Sequence, residues 1–462
     1  MSESATCTYC EGATLPRPEF KEYDPIDAGA IEAKFGRFSG INHDIAADWI
    51  NARYSIIYFA ENGQLLVYNN GVYETCGEII IKGALNKVFH GCRKLNGKSL
   101  FTKNDINEII ARVQVENAQP LNIIDDIGPY VNLENGYINL ETLERLPHTP
   151  DIPFMNKCPV RYVDGAECPE FLNFIDQSLE KKYHDALWEW FGYNLWPNSC
   201  AQKAMLFHGP KRTGKGTTIR VLEAMIGKNN CSHVSLQELA TNKFKIANLF
   251  GKMANTYGDL PKAMVIETGQ FKNLTGEDTI EGEQKFKNPF NFYNKAKMTY
   301  SANDIPMLKE VDDAFYGRWL ILPFVNSCYG REDTSLTRRL TSPEELSGVL
   351  NMALGGLDRL RSNGWHFSHT LSGSEVYERM SNPIVAFLQD GYQASDISRI
   401  SKTDLARDYG EWAKKNRVPP MSSMIEFNKR MKAQNTIPVE ESYYMVGDVR
   451  VEGWVGIIKN LN

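Results

Sequence analysis

Near its start the chain sets apolar residues in short blocks, Ile56-Ile57-Tyr58-Phe59, then residues 64–68, then Val72-Tyr73, a pattern that predicts short strands. Asn70-Gly71, between the last two blocks, supplies the positive φ angles of a tight hairpin. A second pair, Asn135-Gly136, stands between Tyr130–Leu133 and residues 137–140 and predicts a second hairpin. A helix-like stretch begins at Ala47, and a charged helical stretch follows over residues 105–116. Residues 41–150 therefore read as an α+β amino-terminal domain. Residues 1–40 mix Pro, Gly and acids without apolar periodicity and read as a poorly ordered leader.

Proline then punctuates the chain at positions 147, 150, 153, 159 and 169, after which residues 171–196 carry apolar positions at helical spacing. A linker and helical collar are expected over 151–200. From Ala204 apolar strands alternate with helices to about residue 367, the pattern of a sheet with crossover helices, so 201–375 reads as an α/β domain. Helical patterns over 403–416 and 423–434 precede strand-like residues 443–446 and 450–458. Two helices followed by a hairpin predict a winged-helix domain over 376–462.

The sequence has 462 residues, 42% hydrophobic and 23% charged, which excludes a miniprotein and extensive disorder. The longest apolar run, residues 319–325, is far short of the roughly 18 residues of a membrane span. No secretory signal is readable, so a cytoplasmic protein with no membrane partner is expected. The nine cysteines form no paired framework and read as free thiols; Cys7-x-x-Cys10 lacks a second pair, and no metal is assigned to it. A formal net charge of -6 leaves no basic footprint over the whole molecule, so any nucleic-acid site must be local.

The sharpest chemistry lies in Met205-Leu206-Phe207-His208-Gly209-Pro210-Lys211-Arg212-Thr213-Gly214-Lys215-Gly216-Thr217-Thr218, a short apolar strand, a glycine-flanked loop and a helical run. A P-loop needs glycines where backbone N–H groups close round phosphate oxygens, a lysine for the β and γ phosphates, and a hydroxyl for Mg²⁺ at the helix start. Gly209, Pro210, Gly214, Lys215, Gly216, Thr217 and Thr218 are thus the candidate residues for ATP and Mg²⁺. The strict pattern has Ser or Thr directly after the lysine; here Gly216 stands there and Thr217 follows. Downstream, Asp259 ends a strand-like segment and is placed to hold Mg²⁺ with Thr217. Asn303 ends another and could orient the attacking water. Arg318 precedes the apolar run 319–322, where a guanidinium could stabilise transition-state charge in a neighbouring subunit.

Taken together, residues 209–217, Gly251-Lys252 through Asp259, Phe271-Lys272-x-Leu274-Thr275-Gly276-x-Asp278, Ser301-Ala302-Asn303-x-x-Pro306 and Ala314-Phe315-x-x-Arg318-Trp319 resemble the superfamily 3 helicases. The likeness extends to the carboxy-terminal half of phage, plasmid and poxvirus-type primase-helicases. The resemblance implies an AAA+ P-loop ATPase core, a homo-hexameric ring that hydrolyses ATP between subunits, and 3′ to 5′ translocation on single-stranded and forked DNA. It also implies a primase or polymerase on another chain, since no primase constellation is readable here. Gly216 departs from the family pattern, and no second acid stands beside Asp259.

The family's DNA-gripping hairpin would map to Lys285, Phe286 and Lys287. Over residues 284–309 five lysines stand against one acid, Asp304, and interleave with aromatics, as a backbone-tracking groove with a stacking surface would require. On a strand, Lys285 and Lys287 would share one face. In the tail, Lys429, Arg430 and Lys432 form a weaker basic group. Two other functions share part of the pattern. A replication initiator that uses ATP only to assemble would carry all five motifs, whereas a nucleotide kinase accounts only for Gly-Lys-Gly-Thr.

Overall fold

The computed structural model describes residues 30–34, 37–94, 97–260, 268–285, 287–303, 313–326, 333–373, 383–416, 421, 423–434, 436–447 and 449–460. Most of the leader expected over residues 1–40, with Cys7 and Cys10, lies outside them. Within that stretch Ile31–Lys34 and Arg37–Ile41 pair antiparallel. No disulfide forms among the described cysteines, and no described helix is long and apolar enough to cross a membrane.

The molecule is a mixed α/β protein. In the amino-terminal part, strands Ile56–Phe59, Gln64–Asn69 and Val72–Glu74 form an antiparallel sheet whose other edge is Ala118–Gln119. The Asn70-Gly71 turn is as expected: Asn69 pairs with Val72, and φ is +45 at Asn70 and +96 at Gly71. Helices His43–Asn51, Gly77–Val88 and Lys103–Glu116 pack on this sheet, burying Ile50, Leu85, Ile109 and Val113. Thr102 and Asp105 close a reciprocal capping box at the start of the last helix.

The second hairpin differs from the expectation. Leu133 pairs with Gly136, so the turn is Glu134-Asn135, one residue early. Gly136, at φ +126, is needed because the strand Arg145–Leu146 lies alongside: a Cβ there would sit 2.4 Å from the Leu146 carbonyl oxygen. Val131, Leu133, Ile138 and Leu140 bury with the collar and the helix Lys215–Ile226, not with the amino-terminal core.

The collar is two helices, Pro169–Ser178 and His184–Tyr193, broken by the 3₁₀ turn Lys181–Tyr183, where one continuous helical pattern was expected. The long helix Pro343–Ser362 crosses the second of them at glycines. A Cβ on Gly192 would lie 2.3 Å from the Ala353 oxygen, and one on Gly356 would lie 2.3 Å from the Trp188 oxygen, so each helix presents its glycine to the other's backbone.

The central sheet contains β1 (Ala204–His208), followed by helix α1 (Lys215–Ile226), then β2 (Cys231–Ser232), β3 (Ala254–Tyr257), β4 (Lys297–Ala302), β5 (Trp319–Pro323) and β6 (Leu371–Ser372). Its order is β2-β3-β4-β1-β5-β6, parallel through β5, with β6 antiparallel at the edge. Every residue of β4 and β5 is buried, as strands covered on both faces require. At the carboxy-terminal end, helix Pro383–Gly391, strand Tyr392–Ser401, helices Lys402–Lys415 and Met424–Ala433, and the hairpin Glu440–Val446 with Val449–Lys459 enclose Phe387, Tyr409, Phe427 and Trp454.

Candidate functional site

The parallel strands β3, β4 and β1 are neighbours, so the loops leaving their carboxy-terminal ends meet at one edge of the sheet. The loop after β1 turns sharply. Gly209 has φ +151, and a Cβ there would lie 1.9 Å from the Phe324 oxygen. Arg212, at φ +63, and Gly214, at φ +95, complete the reversal into α1. A Cβ on Gly214 would meet the Phe174 ring at 2.8 Å and Ser178 Oγ at 2.9 Å, so the collar forms the back wall of the loop.

Lys215 opens α1 and is buried. Its Nζ donates to the carbonyls of Gly209 and Pro210, both at 2.6 Å, and stands 3.4 Å from Asn303 Oδ1. Burial lowers the Lys215 pKa, and the charge of nearby Asp259 acts in the opposite sense. Asp259 is exposed just beyond β3, with φ +53, and the Leu260 N–H that follows donates to the Ser301 carbonyl of β4. The chain thus brings Lys215, Asp259 and Asn303, far apart in sequence, to one place.

The hydroxyls of this region divide. Thr213 Oγ1 donates to Pro210, and fully buried Thr218 donates to the Gly214 carbonyl at 3.1 Å. The Thr218 hydroxyl proton is thus engaged inside the helix. Thr217 is half-buried. A Cβ on Gly216 would meet nothing within 4 Å, so packing does not demand glycine there.

Arg318 lies elsewhere. Trp319 pairs with Ala204 at the start of β1, so Arg318 sits at the opposite end of the sheet from the loop, about 16 Å away for a five-residue strand. The Arg318 guanidinium donates to Gln202 Oε1 at 3.2 Å, and Lys203 Nζ donates to the Gly317 carbonyl at 2.6 Å. Neither Gln202 nor Lys203 was singled out in the sequence, where nothing marks them as partners of Arg318.

A hairpin surrounds Lys285, Phe286 and Lys287, but its strands stop short of them. Strands Thr279–Gly282 and Phe290–Tyr293 pair with Gly282 opposite Phe290, which leaves Lys285 and Lys287 in the connecting loop and not on one strand face. Asn288-Pro289 explains the early end, since proline cannot donate to the ladder. Phe286 lies outside the described residues. Lys285 is exposed, and Lys287 Nζ donates to the Asn62 carbonyl in the turn before Gln64–Asn69, beside a cleft of about 910 Å³. The basic stretch is not one groove. Lys295 donates to the carbonyls of Ile124 and Asp125, and buried Lys297 to those of Trp196 and Lys295; Lys309 lies outside the described residues. In the tail, Arg430 pairs with Glu426 and Lys432 with Glu441.

Residues 44–180 match a family model described as D5 N terminal like, and residues 207–318 match one described as a family of unknown function, DUF5906. The chain is 22% identical over 326 residues to a protein of Acanthamoeba polyphaga mimivirus named "Putative helicase L207/L206", covering 63% of this chain and 34% of that protein. It is 24% identical over 282 residues to "Putative helicase 121R" of Invertebrate iridescent virus 3, covering 56% of this chain and 29% of that protein. The chain thus spans about a third of the length of the curated relatives it matches. A solved structure of the NrS-1 C terminal region aligns with 89% of this chain and 98% of its own length, at 12% identity and a TM-score of 0.45.

Proposed function

We propose that this chain is an ATP-driven DNA helicase of a virus or mobile element, working as a hexameric ring that moves 3′ to 5′ along single-stranded DNA. The observation that carries the reading is the placement of Arg318 at one end of the central sheet and of Lys215, Asp259 and Asn303 at the other. One subunit cannot close that gap with a side chain, but a neighbour packed against the loop end can. The parallel order β5-β1-β4-β3-β2 supports an AAA+ core, and the order helix, strand, two helices, hairpin supports a winged helix at residues 383–459. The viral relatives named as helicases support the activity.

ATP and Mg²⁺ fit the residues present. Gly209 and Gly214 adopt backbone angles and close approaches that a side chain would block, which is what a loop closing round phosphates requires. Lys215 would leave its two loop carbonyls for the β and γ oxygens. Thr217 and Asp259 would hold Mg²⁺, which supplies charge neutralisation, and Asn303 would orient water. Arg318 would complete the neighbour's site. The test is complementation: Lys215→Ala and Arg318→Ala subunits, each inactive alone, should recover ATP hydrolysis when co-assembled. Continued silence in mixtures proven to co-assemble would remove the shared-site reading.

A further inference from the structure

Among the described residues, six without the freedom of glycine enter the left-handed backbone region, and two of them, Arg212 and Asp259, belong to the candidate nucleotide site. A third is Gln202, at φ +50. Such a conformation costs free energy for any residue with a Cβ and persists where the surroundings hold it. Here they do. The Gln202 N–H donates to Ser199 at 2.8 Å, Lys203 Nζ donates to Gly317, and the Ala204 N–H donates to the Arg318 carbonyl at 2.8 Å. Residues 202–204 thus grip residues 317 and 318, and Gln202, Lys203, Gly317 and Arg318 line a depression of about 330 Å³ at the sheet end away from the phosphate loop.

From this frame the Gln202 side chain accepts a hydrogen bond from Arg318 Nη1 at 3.2 Å. A guanidinium carries its donors in one rigid plane, so a bond at one donor contributes to the direction in which the plane faces. We infer that Gln202 is a positioning residue for Arg318: its strained backbone holds an amide oxygen that points the guanidinium at the phosphates of the neighbouring subunit's nucleotide. The inference rests on the reading of Arg318 as a residue that acts in the neighbour's site. In an isolated subunit the contact is exposed and water competes for it. Once a neighbour covers the depression, the same hydrogen bond lies in a drier site, where it is stronger. Its effect should therefore appear in turnover and not in folding.

Two exposed substitutions test it, Gln202→Gly and Gln202→Met. Both remove the acceptor; glycine also removes the left-handed cost, so that variant should melt no lower than the parent. For the assembled protein with DNA, kcat for ATP should fall about tenfold in both variants while KM is unchanged, since the contact is used in the transition state of the neighbour's reaction. Parental kcat in both, alongside slow hydrolysis by Arg318→Ala, overturns the role of Gln202 and leaves that of Arg318 standing. Parental rates in Arg318→Ala overturn the reading beneath it. A Gln202→Gly variant that melts lower, with kcat and KM changed together, assigns the residue a structural role and overturns the inference as well.

Discussion

Lys215 Nζ, at the start of α1, and Asn303 Oδ1, just beyond β4, lie 3.4 Å apart, although 88 positions separate them in sequence. The lysine that would neutralise the nucleotide's charge and the amide that would hold the attacking water are therefore coupled in one site. Asn303→Ala should slow ATP turnover by roughly 100-fold while nucleotide binding stays within about threefold, because the amide acts on water and not on the phosphates that hold the ligand. Equilibrium binding and single-turnover hydrolysis measure the two separately; equal losses in both would place Asn303 in binding instead.

Gly216 stands where a hydroxyl residue is usual, yet a Cβ there meets open space. Gly216→Ser should fold and gain about 0.5 kcal/mol from better helix propensity, read as a shift in the denaturant midpoint. If Thr217 holds the metal, Thr217→Ala should lose Mg²⁺-dependent hydrolysis, and Gly216→Ser in that background should restore part of it. Failure to restore any activity in a folded double variant counts against a hydroxyl ligand at this helix start.

The loop carrying Lys285 and Lys287 should meet DNA through phosphates, with little base preference. Lys285→Ala should weaken single-strand binding similarly across sequences and lower the salt slope by about one. Lys287 also reaches the Asn62 carbonyl, so the double variant should lose more than binding: the loop loses a tie to the amino-terminal part. Titrations at several salt concentrations decide the matter. An unchanged slope in the double variant would move the DNA contact to other residues.

Lys297 is buried in β4, and burial pushes its ammonium down to about 7, with Cys200 opposing the shift and Lys295 adding to it. An unfolded chain keeps the proton up to the ordinary value of 10.5. Between these values the unfolded state binds more protons, so stability should rise with pH across that window. Lys297→Met keeps an unbranched side chain, one heavy atom shorter, and removes the titration. Its urea midpoint should change less between about pH 7 and pH 9.5 than the parent's; an equal change would assign the slope to other groups.

Much of the fold was legible because it is local. The strand before Gly209, the helix after Gly214 and the Asn70-Gly71 hairpin are each specified by residues that touch one another within a few positions. The residues that would bind phosphate were readable for the same reason. What was not legible depends on partners far away. Asn135-Gly136 looks like a central turn pair, but Gly136 answers to the Leu146 carbonyl. Lys295 and Lys297 look like part of a basic groove, yet backbone carbonyls of residues 124, 125 and 196 take their charge. Gln202 carries no signal at all until β1 and β5 pair and bring Arg318 beside it.

The helix crossing in which Gly192 faces Ala353 and Gly356 faces Trp188 has a consequence for how the chain can be assembled and taken apart. Every residue assigned to the nucleotide site, and Gln202 with it, lies on the stretch that leaves the collar at Gly192 and returns to touch it at Gly356. That stretch is a closed loop whose two ends lie on closely packed helices, so forming the crossing carries the entropy cost of a long closure and must come late unless β1 and its neighbours have already drawn the ends together. Ends that meet can also be joined or reopened elsewhere. New termini for a circular permutation therefore belong in the exposed loops of the enclosed segment and not at the two glycines, which are buried within packed helices.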